Sequence, residues 1–105
     1  MGILSEICKQ ENVQITRAAT DDLYEICEGK VNGGCAVRRN GQNFIVLDAN
    51  LKGYEKMLVL AHETAHHIFG HLDKDEITEQ MEDEARLFSV VYTALYMFAE
   101  SGVNA

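Results

Sequence analysis

Two histidines four residues apart, with a glutamate directly after the first, give this chain its chemistry. The stretch Leu60-Ala61-His62-Glu63-Thr64-Ala65-His66-His67-Ile68-Phe69-Gly70-His71 contains the pattern His-Glu-x-x-His from His62 to His66. On an α-helix, residues four apart stand one above the other on a single face, so His62 and His66 can aim two imidazoles at one point. That arrangement suits a tetrahedral Zn²⁺. Glu63 lies about 100° around the helix from His62, beside such an ion, where its carboxylate can take a proton from an activated water. The competing explanation is a surface helix that carries these residues by chance. Apolar Met57, Leu58, Leu60, Ala61, Ala65, Ile68 and Phe69 argue instead for a packed helix, with Gly70 as its stop.

Hydrolysis at zinc needs three protein ligands and one open position. The longer pattern His-Glu-x-x-His-x-x-Gly-x-x-His would supply a third histidine, but it wants glycine at position 69 and histidine at position 72. The chain has Phe69 and Leu72 there, so that source is rejected. An acid from a following helix is the other source. Met81, Ala85, Phe88, Tyr92, Leu95 and Ala99 recur at spacings of three and four and predict a helix over about residues 78–100. Glu82 and Glu84 both border this apolar stripe, and a helical projection slightly prefers Glu84. His67 and His71 are themselves four apart but have no glutamate between them, so they are expected to be exposed or to support the ligands from behind. Tyr54, Tyr92 and His71 are candidates for stabilising an oxyanion.

Several elements must position these residues. Ile3, Leu4, Ile7 and Cys8 form a one-sided stripe that predicts a helix over residues 3–11, and Val13-Gln14-Ile15-Thr16 alternates as a short strand does. Thr20-Asp21-Asp22 opens a second helix, with Thr20 as its cap, two acids in its first turn and Gly29 at its end. Leu23, Ile26 and Cys27 face inward on it, and Asn32-Gly33-Gly34 then breaks the chain. Asn40-Gly41 joins Cys35–Arg39 to Gln42–Leu47 as a hairpin, because this dipeptide supplies the positive φ values of a type I′ turn. Phe44 to Leu47 is almost wholly apolar, which predicts a strand covered on both faces. Arg38 and Arg39 read as a solvated strand end, with substrate contact the lesser option. A loop from Asp48 to Gly53 delivers the chain into the metal helix, expected from Tyr54 to His71, and the seven acids between Asp73 and Glu84 read as a solvated run.

At 105 residues, 47% apolar and 25% charged, the chain is expected to form a single domain spanning residues 1–105. Its formal charge of −8 argues against direct binding to nucleic acid or to an anionic membrane, and favours a basic or neutral protein partner. No apolar run is long enough to span a bilayer. The first residues lack a basic leader segment and the myristoylation spacing, so a cytoplasmic location is expected. Cys8, Cys27 and Cys35 are odd in number and form no Cys-x-x-Cys pair, so all three are expected to be reduced, mostly buried thiols.

Ala61-His62-Glu63-Thr64-Ala65-His66-His67, the acidic run and Glu82-x-x-Ala85-x-x-Phe88 together resemble the ImmA/IrrE family of zinc metallopeptidases. The strand and loop Leu47-Asp48-Ala49-Asn50-Leu51 resemble the segment that precedes the metal helix in that family. The resemblance covers about residues 35–92. It implies an α+β, zincin-like fold with a small antiparallel or mixed sheet, and Zn²⁺ as cofactor. By position it makes His62, His66 and Glu82 the ligands, Glu63 the catalytic base, and a repressor-type transcriptional regulator the protein substrate. Arg86 departs from the family, which has aspartate or asparagine at this place, often orienting a ligand histidine. Ser89-Val90-Val91-Tyr92-Thr93-Ala94-Leu95 replaces a run of small residues, and the C-terminal region that many members carry does not follow. The alternative function is therefore a zinc-bound regulatory module of the same fold that binds a partner without cutting it.

Overall fold

The computed structural model describes residues 2–27 and 33–100. In chain order these form α1 (Gly2–Gln10), β1 (Val13–Ala18), α2 (Thr20–Ile26), β2 (Gly34–Arg39), β3 (Gln42–Asp48), α3 (Gly53–Ile68), a 3-10 turn (His71–Asp73) and α4 (Glu79–Glu100). The class is α+β, as expected. The sheet is mixed, in the order β1-β3-β2: β3 runs parallel to β1 and antiparallel to β2. The hairpin turns at Asn40 and Gly41 with φ of 54° and 77°, the positive pair that a two-residue connection requires.

Central β3 is covered on both faces, which is why its sequence does not alternate. Ile45 and Leu47 join Leu4, Cys8, Val13, Leu60 and Ala61 in one core between the sheet, α1 and α3. On the other face Val46 packs with Leu23 and Cys27 under α2. Helix α3 thus rests on the central strand, and α4 packs against α3. Among the described residues, no helix is long and apolar enough to cross a membrane.

Three expectations need correction. First, α3 ends at Ile68 and does not reach His71, because Gly70 adopts a left-handed φ of 72°. The amides of Phe69 and Gly70 bond back to the carbonyls of Ala65 and His67 at 2.9 and 3.2 Å, and the chain then leaves the helix axis. Second, Thr20 does not cap α2. Ala19 occupies the cap position with no side-chain bond, while the Thr20 hydroxyl donates to the Asp48 carboxylate at 2.9 and 3.0 Å. Asp48 also accepts from the Asn50 amide at 2.9 Å, so this carboxylate ties α2 to the loop that feeds α3. The expected end of α2 at Gly29 lies outside the described residues.

Third, Cys27 and Cys35 are joined in a disulfide, with Cα atoms 5.9 Å apart, where reduced thiols were expected. No sequence motif marks the pair. It forms because packing of α2 on the sheet brings the helix end over β2. Cys8 is free and buried, as expected. Closing so short a loop should contribute about 2–3 kcal/mol. Titration of the unfolded protein without reductant should therefore give one thiol, and three after reduction. The double substitution Cys27→Ser/Cys35→Ser should lower the unfolding free energy by that amount in denaturant melts.

Candidate metal centre

His62 and His66 project from one face of α3, one helical turn apart, with their Nε2 atoms 3.2 Å from each other. The first turn of α4 brings Glu82 to meet them. Its Oε1 lies 3.0 Å from His62 Nε2 and 2.8 Å from His66 Nε2. That turn starts at Thr78, whose hydroxyl accepts the Met81 amide at 3.2 Å and whose carbonyl accepts the Glu82 amide at 3.0 Å. Burial is graded across the three side chains: His66 is 3% exposed, His62 23% and Glu82 43%. The group is closed towards the core and open on its outer side.

Two imidazole nitrogens and one carboxylate oxygen facing a single point are suited to a cation. A tetrahedral divalent ion with bonds of about 2.0–2.1 Å holds neighbouring donors roughly 3.3 Å apart. The observed triangle of 2.8, 3.0 and 3.2 Å is within a few tenths of an ångström of that value. These three residues fit a divalent metal ion.

Glu63 sits beside this point, 9% exposed. Burial pushes its carboxyl up to about 8 and the neighbouring Glu82 charge adds to the effect, while a backbone hydrogen bond from Ala36 opposes it. His66 moves the other way: burial brings it down to about 4, against the attraction of Glu82. Burial also acts on Glu82, but its bonds to His62 and His66 outweigh it and hold that carboxyl below its ordinary range.

The remaining candidates fall elsewhere. Glu84, which the helical projection preferred, does not reach the point where His62, His66 and Glu82 meet. Its Oε1 lies 3.1 Å from Nε2 of His71, and Nδ1 of His71 lies 2.9 Å from Nδ1 of His66. His71 is 4% exposed, so of the two roles expected for it only support fits. Both its ring nitrogens are engaged, leaving none for an oxyanion. His67 donates from Nε2 to the Phe44 carbonyl at 2.8 Å and braces α3 on β3. Tyr92 stacks between Phe88 and Tyr96 against the core, and Tyr54, 59% exposed, lies about 12 Å along the helix from His62.

Both arginines of the hairpin are exposed at its solvated end, as expected, and each finds a partner there. Arg38 pairs with Asp73 at 2.7 Å and Asn43 at 2.8 Å, and Arg39 reaches the Ile26 carbonyl at 3.4 Å. Arg86 pairs with Asp83 on the exposed side of α4. Two features escaped sequence reasoning: the Ala36 amide on Glu63, and the contact between His71 and His66. Gly70 carried a signal for the second, since a left-handed residue before His71 folds it back beside the helix.

A family model, Peptidase_M78, described as the IrrE N-terminal-like domain, matches residues 9–100. No curated protein and no solved structure matches the chain.

Glu82→Ala should strip most of the metal that the wild type keeps through desalting, as read by elemental analysis. Glu63→Gln should stabilise the metal-free protein. The native state holds the Glu63 proton up to about 8, whereas the unfolded chain releases it near 4.5, so wild-type stability falls as pH rises through that window. The variant lacks this loss. Its advantage should widen from pH 5 to pH 8 and reach on the order of 3 kcal/mol, measured by denaturant melts in chelator.

Proposed function

The chain belongs to the IrrE N-terminal-like domain family, and we propose that it is a zinc-dependent peptidase acting on a protein substrate. The observation that carries this reading is the convergence of His62, His66 and Glu82, with Glu63 buried beside them. Two imidazoles and one carboxylate are a donor set that zinc accepts at catalytic sites, and the solvent-facing side leaves room for substrate. Zinc bound there supplies Lewis acidity towards the scissile carbonyl and makes a water acidic near neutrality.

The chain's own residues do the rest. Glu63 accepts the proton of the attacking water and passes it to the leaving amine. A carboxyl whose proton affinity is raised by burial is suited to holding that proton between the two events. A backbone hydrogen bond from Ala36 reaches Glu63. Ala36 lies on β2, an edge strand of the sheet. An extended peptide added to that edge would run past Glu63, with main-chain hydrogen bonds giving affinity whatever its sequence. The charge of −8 favours a basic or neutral segment in the substrate. A repressor-type regulator is the substrate that the family resemblance suggests.

The test compares zinc-loaded wild type with Glu63→Gln, on unfolded casein and on a candidate repressor. Zinc content should be equal in the two, and cleavage should fall at least about 100-fold in the variant. Equal cleavage by both forms would remove Glu63 from the reaction. Binding of the repressor with no cleavage by the wild type would instead establish the non-proteolytic module.

A further inference from the structure

Behind His66, on the side away from Glu82, two further polar side chains continue in line. His66 Nδ1 faces His71 Nδ1 at 2.9 Å, and His71 Nε2 faces Glu84 Oε1 at 3.1 Å. Burial decreases outwards: the side chains of His66, His71 and Glu84 are 3%, 5% and 52% exposed. The line thus runs from the most enclosed member of the centre to the surface.

The hydrogen-bonding roles along this line are dictated from its outer end. A carboxylate can only accept, so His71 must carry its proton on Nε2. A neutral imidazole has one protonated nitrogen, so His71 Nδ1 accepts. With a cation taking the Nε2 lone pair of His66, its Nδ1 carries the proton and donates to His71; without one, Nε2 lies 2.8 Å from the Glu82 carboxylate and is the atom that donates. With that proton on Nε2 and a neutral His71, two unprotonated Nδ1 atoms would face each other at 2.9 Å, so the line of hydrogen bonds is complete only with a cation bound.

We infer that His71 and Glu84 are positioning residues that orient the His66 ring and receive its Nδ1 proton when Nε2 binds a cation, so that Glu84 acts on the metal site through His71 without touching it. The inference rests on the reading of His66 as a metal ligand. It also answers the departure at Arg86. That side chain pairs outward with Asp83, and the acid that orients a ligand histidine comes from Glu84 through His71. A hydrogen-bonded carboxylate behind a ligand imidazole raises its basicity and fixes its ring, and loss of such a partner typically costs roughly 10–100-fold in metal affinity.

The test uses Glu84→Ala, because Glu84 is half exposed and its removal should leave the fold intact. Zinc affinity is measured by competition with a chromogenic chelator, and imidazole protonation sites are read from long-range ¹H–¹⁵N spectra of the zinc-loaded protein. The wild type should show His66 protonated at Nδ1 and His71 at Nε2. In Glu84→Ala, zinc affinity should fall roughly 10–100-fold and the His71 Nε2 proton should lose its hydrogen-bonded shift, with the thermal midpoint of the metal-free protein unchanged. His66→Ala is the control for the premise. If it leaves zinc binding intact, the ligand reading itself fails. If it abolishes binding while Glu84→Ala keeps wild-type affinity and an unchanged His71 Nε2–H signal, the positioning role alone is overturned.

Discussion

The crossing of α4 over α3 is the constraint on which the centre depends. Ala61 and Ala65 on α3 and Ala85 on α4 are all fully buried. Small side chains at a crossing let two helix axes come near the short end of the usual separation of about 8–10 Å. Glu82 lies one turn before Ala85, hence on nearly the same face of α4. A carboxylate of that length can bridge to His62 and His66 only if the axes are close. The height of α3 is set in turn from below, where Leu60 and Ala61 pack on Ile45 and Leu47 of the central strand. The sheet therefore reaches the ligands through two layers of close packing.

That packing has an electrostatic consequence. Burial drives Glu63 towards its protonated form and His66 towards its neutral form. For a ligand imidazole this is the useful state, because the neutral ring offers a lone pair. For Glu63 the same burial disfavours the carboxylate and favours the protonated carboxyl. One physical cause thus favours a neutral ring in one side chain and a protonated carboxyl in the other. Where a cation binds such a cluster, its binding and the ordering of the region are parts of one free energy.

The fold was legible where one residue dictates a local conformation. Asn40-Gly41 placed the hairpin, and the unbroken apolar run of β3 announced a strand covered on both faces. It was not legible where distant segments meet. Nothing near Val13 states that β1 will lie parallel to β3, and nothing near Cys27 names Cys35 as its partner; packing of α2 on the sheet brings those two together. At the centre, the spacing of His62 and His66 was sufficient to bring their Nε2 atoms to one point. Helical projection leaned towards Glu84 for a physical reason. The middle of an apolar stripe marks the most buried line on a helix, whereas an open metal site must lie at the rim of the interface, where Glu82 stands 43% exposed.

Orientation of a ligand imidazole is a task that different residues can perform, provided a carboxylate ends the chain of hydrogen bonds. Here Arg86 occupies the place from which an acid could do so directly, and it turns away to Asp83. The structure reaches the same end through His71, and three local features make that possible. Gly70 reverses the chain after α3 and sets His71 beside His66. The pair between Arg38 and Asp73 anchors the far end of the 3-10 turn to the hairpin. Glu84, two residues beyond Glu82 and about 200° around α4, still reaches His71 because that side chain lies past the end of α3 and not on its ligand face. A departure from a family's sequence pattern at one position is thus compatible with an oriented ligand, because the requirement is a proton on Nδ1 and an acceptor to receive it.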